Sequence, residues 1–115
     1  MFQKLKILII GDVMLDTYLN GKVDRISPEA PVPIVNLSHK DYRPGGAANV
    51  ALNIKALGAT PFLFSVIGED TAGQKLLSLL PSQNISPKYL YPSKHRKTTV
   101  KTRIIAQSQQ MLRFD

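Results

Sequence analysis

Two stretches carry residues whose types and spacing could do chemistry together. Gly11-Asp12 ends the apolar run Leu5-Lys6-Ile7-Leu8-Ile9-Ile10, with Asp16 one turn further on. Gly45-Gly46-Ala47-Ala48-Asn49 opens a segment of helical periodicity. Adjacent glycines let the backbone pass close to a ligand, and a helix start offers free N–H groups. Asn49 adds a donor and an acceptor. Two carboxylates, an amide and backbone N–H groups suit a polyhydroxylated ligand such as a sugar, whose hydroxyls need both kinds of partner at fixed spacing. Each piece also has a purely structural reading: Asp12 as the cap of a turn, Gly45-Gly46 as an ordinary loop-to-helix junction. Asp12 with Asp16 as a metal pair lacks further ligands. There is no cysteine, and His39 and His95 lie far apart, so a zinc centre has no support.

A third stretch is basic. The formal net charge of the 115 residues is +7. Residues 1–70 are balanced, so the whole excess lies in residues 71–115, densest at Lys94-His95-Arg96-Lys97 and then Lys101 and Arg103. Such a segment attracts phosphorylated small molecules, nucleic acid or acidic protein surfaces, or it is a solvated loop. A nucleic-acid reading rests on this tail alone, with Tyr89 and Tyr91 available for stacking. Neither G-x-G-x-x-G after the first strand nor G-x-x-x-x-G-K-[ST] occurs.

The elements that must position these residues follow from periodicity. The length suits one domain, and the 43% hydrophobic composition is globular. No apolar run approaches the roughly 20 residues that span a bilayer, and the start is a poor signal peptide. Absence of cysteine fits a reducing cytoplasm. Residues 5–10 read as a buried strand. Residues 18–43 read as short antiparallel strands, with a turn at Asn20-Gly21 and a loop stiffened by Pro28, Pro31 and Pro33. Ala47, Val50, Ala51, Ile54 and Leu57 predict a helix ended by Gly58. Residues 61–67 predict a second buried strand. Asp70-Thr71 begins a second predicted helix, Thr71 with Gln74 fitting a capping box, with Leu76, Leu77 and Leu80 inward and Pro81 as the stop. A short strand at 89–91, a half-exposed one over 100–107 and another at 111–114 complete the chain. Strand, helix, strand at this spacing implies a parallel α/β sheet with a right-handed crossover. Ligands of such sheets bind beyond the carboxyl ends of the strands.

Gly45-Gly46-Ala47-Ala48-Asn49-Val50-Ala51, then Gly58, then Gly68, resembles the N-terminal signature of the ribokinase-like (PfkB) carbohydrate kinases at every constrained position. Gly-Asp-Val-Met-Leu-Asp-Thr-Tyr from Gly11 and Arg-Ile-Ser-Pro-Glu-Ala-Pro-Val-Pro from Arg25 are narrower. They resemble the branch that phosphorylates the 1-hydroxyl of D-glycero-β-D-manno-heptose 7-phosphate for ADP-heptose and lipopolysaccharide core synthesis. Thr98-Thr99-Val100-Lys101-Thr102-Arg103 and Gln109-Gln110-Met111-Leu112-Arg113 continue the likeness, which covers nearly the whole chain from Lys4.

The resemblance implies a ribokinase-like α/β fold with a small antiparallel β lid, built from strands within 18–43 and 98–114. It implies that Asp12 and Asn49, with the backbone of Gly45 and Gly46, hold the sugar, Asp16 being a further candidate. Lys101 and Arg103 become candidates for the 7-phosphate, the alternative being the solvent face of their strand. A homodimer through the lid is implied, in a bacterial cytoplasm. ATP and Mg2+ are implied for the complete enzyme and none is expected on this chain. The family's catalytic aspartate sits in a late Gly-Ala-Gly-Asp-type motif, which does not occur in this sequence; the base and the ATP pocket belong to a C-terminal part. The chain is therefore expected to be the N-terminal, sugar-binding part of a kinase domain, inactive alone, partnered by a phosphorylated sugar and by that C-terminal part. A non-catalytic sugar-binding or dimerisation module is the alternative. The strands at 5–10 and 61–67 are expected to expose edges that further strands would pair.

Overall fold

The computed structural model describes residues 3–115, which form seven strands and two helices in two compact units. The first unit runs up to Leu15 and resumes over Arg43–Val100; the second comprises Asp16–Tyr42 and Lys101–Asp115.

The first unit is built on a parallel sheet in the order β1 (Lys6–Ile10), β4 (Thr60–Gly68), β5 (Leu90–Ser93). Ile7 pairs with Pro61, Ile9 with Leu63 and Ser65 with Leu90. One face carries Ile9, Leu63, Ile67 and Leu90, which join Ala48, Ala51, Leu76, Leu80 and Ile85 in the core. Burying each large aliphatic side chain there contributes roughly 1.5–3 kcal/mol. β4 is thus the central strand of the described sheet rather than an edge, and only β1 and β5 are edges. The expected exposed edge at 61–67 is corrected: β5 covers it.

Helix α1 (Ala47–Ala56) buries Ala48 and Ala51, while Val50 and Leu57 are exposed. The inward face is therefore turned from the one predicted, because small alanines allow the closer approach to the sheet. Gly58, at φ +94°, ends the helix as predicted. Gly58 N donates to the Lys55 carbonyl and Ala59 N to that of Ile54, the paired bonds of a Schellman stop.

Helix α2 (Thr71–Ser82) begins at Asp70-Thr71 as predicted, but its capping bond and its stop differ from the prediction. Its cap is Asp70, whose carboxylate accepts from Gly73 N at 2.8 Å, so Thr71 lies inside the first turn. Pro81 lies inside the last turn and does not stop it. The stop is Asn84 at φ +61°, with Asn84 N donating to Pro81 O and Ile85 N to Leu80 O. Buried Ile85 and Leu80 supply the apolar contact that accompanies such a stop.

The second unit is a four-stranded sheet in the order β3 (Pro33–Gly46), β2 (Val13–Ile26), β6 (Thr99–Ala106), β7 (Gln109–Phe114). β2 runs straight through Asn20-Gly21, so the predicted turn there does not exist. Gly21 is required for a different reason: a Cβ on it would collide with the Asn36 carbonyl on β3. The only reversal between β2 and β3 is the proline loop, closed by Ser27 N donating to Val32 O at 2.8 Å. β6 and β7 pair antiparallel with a bulge at Ile104/Ile105. They are joined through Gln107 and Ser108, both at positive φ.

Candidate functional site

In the first unit the chain leaves β1 at Gly11-Asp12, where the sheet's carboxyl end faces the start of α1. Ala47 N donates to the Asp12 carbonyl at 2.8 Å. Gly46, the residue before the helix, stands at φ +60°. A Cβ there would meet the Asp12 carbonyl oxygen at 2.5 Å and Met14 Cε at 2.9 Å. Gly11 is crowded from the other side, its notional Cβ lying 3.2 Å from Ala47 Cβ. The two glycine segments are thus fitted to each other: one supplies the left-handed residue and the other the carbonyl that fixes it. Val13 N donates to Ser65 Oγ at 3.2 Å, which ties the Asp12 segment to β4.

This junction leaves the polar side chains outward. Asp12 and Asn49 are both exposed, and neither is taken up by a side-chain hydrogen bond among the described residues. No side chain caps α1, and its first turn carries no acidic residue. Gly45 is buried beneath the junction and Gly46 is open. The structure therefore brings the Asp12 backbone, Gly46 and the start of α1 together, with Asn49 in the helix's first turn.

Asp16 belongs to the second unit. It lies within strand β2, not one helical turn beyond Asp12, and Arg103 Nη1 donates to its Oδ1 at 3.2 Å. The Arg103 guanidinium also sits 5.3 Å from the Tyr18 ring centroid. Arg103 and Lys101 are both half-buried on β6, while Thr102 between them is buried. The cluster Lys94-His95-Arg96-Lys97 is an exposed turn between β5 and β6.

One constellation was not anticipated from the sequence. The Asp70 carboxylate accepts from Gly73 N at 2.8 Å, Thr98 N at 2.8 Å and the Thr98 hydroxyl at 2.6 Å. Thr98 Oγ1 in turn accepts from Gly68 N at 2.9 Å. Burial pushes the Asp70 carboxyl up, but the Thr98 and Gly73 bonds outweigh it and hold the group below its ordinary value. Gly68 and Gly73 have no room for a side chain: Arg96 O blocks the first, and Gly68 O together with Thr98 Oγ1 the second. The spacing Gly68-x-Asp70-x-x-Gly73, a cap residue between two glycines, was the available signal. Beside it an open depression of about 730 Å3, lined by Glu69, Asp70, Thr71, Gln74 and Pro92, lies past the carboxyl ends of β4 and β5.

Among the described residues no group of three or more His, Cys, Asp or Glu side chains could hold a metal ion, and no helix is long and apolar enough to cross a membrane.

Comparison with known proteins agrees with the glycine junction. Residues 4–115 match the pfkB family carbohydrate kinase family. The chain belongs to that family. It is 45% identical over all 115 residues to "Bifunctional protein HldE" of Coxiella burnetii (strain RSA 331 / Henzerling II), and 47% identical over 114 residues to the protein of that name in Hydrogenovibrio crunogenus. It spans about a quarter of these relatives, 24% and 23% of their respective lengths. Among solved structures it is similar to an archaeal ribokinase-family nucleoside kinase from Methanocaldococcus jannaschii, with a TM-score of 0.67 and 25% identity, over 97% of this chain and 36% of that one. Arabidopsis thaliana ribokinase, complexed with ribose and ATP, gives a TM-score of 0.71 at 15% identity, over 96% of this chain and 35% of that one. The fold is ribokinase-like, and the chain corresponds to an N-terminal portion of it.

Proposed function

We propose that this chain is the sugar-phosphate-binding and lid portion of a kinase that transfers the ATP γ-phosphoryl to the 1-hydroxyl of D-glycero-β-D-manno-heptose 7-phosphate. The observation that carries the reading is the Gly46–Asp12 junction, which turns the Asp12 carboxylate and Asn49 amide outward beside an uncapped helix start. A carboxylate accepts from two hydroxyls, and an amide both donates and accepts, the complement a sugar presents. Holding the sugar fixed is itself a large part of phosphoryl-transfer catalysis, which relies on positioning and charge neutralisation. The choice of heptose rests on the likeness of the Gly11–Tyr18 and Arg25–Pro33 segments to that branch of the family.

In the second unit Arg103 is the cation suited to a phosphate. Asp16 and Tyr18 hold its guanidinium in place while other N–H donors remain for a ligand. We assign Lys101 and Arg103 to the 7-phosphate, and the four-stranded sheet to the lid and to a homodimer contact. ATP and Mg2+ belong, in this reading, to the complete enzyme and not to this chain, whose sequence carries no nucleotide fingerprint. When bound to a complete enzyme they would supply the phosphoryl group and its charge neutralisation. We place the protein in the bacterial cytoplasm.

Backbone amide NMR during titration with the heptose 7-phosphate tests the site. Shifts centred on Asp12, Gly45, Gly46 and Asn49, lost in Asp12→Ala, are expected, with no ATP turnover by the chain alone. Weaker binding of the phosphorylated sugar but not of the free sugar is expected for Arg103→Ala. Shifts centred on Lys94–Lys97 instead would refute the assignment.

A further inference from the structure

The positive charge of this protein is concentrated in one unit. The first unit carries nine Lys and Arg against three Asp and Glu, the second six against five. Three of the nine, Lys94, Arg96 and Lys97, stand with His95 on four consecutive exposed residues in the turn between β5 and β6. None of these four side chains enters a hydrogen bond or ion pair among the described residues. The backbone that carries them is fixed at several points. Ser93 Oγ accepts from His95 N at 3.1 Å, and Ser93 O accepts from Glu69 N at 3.2 Å. The Arg96 carbonyl lies in the place a Gly68 side chain would need, and the Asp70 carboxylate accepts from Thr98 N at 2.8 Å. An anion arriving at the turn therefore orders side chains only, which keeps the entropic cost of binding low.

We propose that this turn is a contact for the phosphate backbone of a nucleic-acid strand. Phosphates follow one another at about 3.4 Å along a strand's axis, so three or four fall within the roughly 13 Å that four residues span at most. The excess charge of the surrounding unit adds long-range attraction for a polyanion. The chemistry beside the turn separates this partner from other acidic ones. From Pro92 to Thr98 there is no large apolar side chain. A protein partner binds through buried apolar or aromatic anchors, and a bilayer surface holds a protein with so few cations only when something apolar also inserts. Phosphate contacts need neither. The tyrosines that the sequence offers for base stacking do not belong to the turn: Tyr89 is stacked on Phe64 at 4.4 Å, and Tyr91 lies within β5. The contact is to phosphates and not to bases, and it is indifferent to nucleotide sequence.

The test titrates the full chain into a fluorescein-labelled single-stranded DNA of mixed sequence, about 20 nucleotides long, and reads anisotropy from about 25 to about 200 mM NaCl. With three phosphates neutralised, log affinity should fall against log salt with a slope of about −2, about seventyfold over that range. Lys94→Gln, Arg96→Gln and Lys97→Gln should each lower the slope by about 0.7, and the triple variant should abolish binding. Circular dichroism should stay unchanged in all of them, because the three side chains are exposed. Lys55→Gln combined with Lys88→Gln removes two exposed cations of the same unit away from the turn, and should leave the slope at about −2. A strand of different base composition should bind within about twofold. A slope near zero, or a triple variant that binds like the original chain, would overturn the proposal. So would polyglutamate of equal charge that competes as well as unlabelled strand, or phosphatidylglycerol vesicles that bind the chain when the strand does not. None of these readouts depends on sugar binding.

Discussion

Replacing Asp70 with alanine should destabilise the first unit by about 3 kcal/mol. The carboxylate is the cap of α2 and at the same time the acceptor for the amide and hydroxyl of Thr98, twenty-eight residues later. Loss of an N-cap costs about 1 kcal/mol. Thr98 is buried, and leaving its amide and hydroxyl without their acceptor adds about 2 kcal/mol, water reaching the half-exposed Asp70 position softening the full penalty. At roughly 4 °C per kcal/mol for a chain of this size, Tm should fall by about 12 °C.

Urea denaturation at pH 7 of Asp70→Ala, Thr98→Val and the double variant separates the cap from the clamp. The two single losses should overlap by about 1 kcal/mol, since both remove the bond from the Thr98 hydroxyl to the Asp70 carboxylate, while the Thr98 amide keeps its acceptor in Thr98→Val. The pH profile gives a second readout. The folded carboxyl lies below its ordinary value of 3.8, so the unfolded chain binds the proton more tightly. Its contribution is complete above about pH 5 and is lost as the pH falls through the ordinary value towards the lowered one. Asp70→Asn should remove that part of the acid sensitivity. A loss under 1 kcal/mol for Asp70→Ala, or strict additivity with Thr98→Val, would refute the clamp.

Two further perturbations test backbone positions. Gly46→Ala places a Cβ against the Asp12 carbonyl at a left-handed residue, so it should cost more than about 2 kcal/mol in thermal unfolding and erase sugar-induced amide shifts at Asp12. Gln107 and Ser108 hold positive φ in the two-residue link between β6 and β7, so replacing them with Asn-Gly should raise stability by about 1 kcal/mol in urea, with the β7 register unchanged by NMR.

Period-based features were legible because they depend on neighbours along the chain. The strand before Gly11, the strand over 60–68 and the Gly58 stop all follow from local alternation or a local glycine. The errors share one cause: the deciding partner was distant in sequence. Asn20-Gly21 has the composition of a turn, yet Gly21 is there because Asn36 O approaches it from β3. Thr71 and Gln74 have capping-box spacing, yet Asp70 takes the cap because Thr98 pays back its burial with two donors. Asp16 was placed one turn beyond Asp12, yet it lies within strand β2, where its partner is Arg103, eighty-seven positions away. The glycine pair at 45–46 was legible as a site because its chemistry was visible in the chain, but its mate, the Asp12 carbonyl, is a backbone atom that no residue type announces. That asymmetry explains why side-chain chemistry is readable from the sequence, while the reason Gly46 must be glycine appears only in the folded backbone.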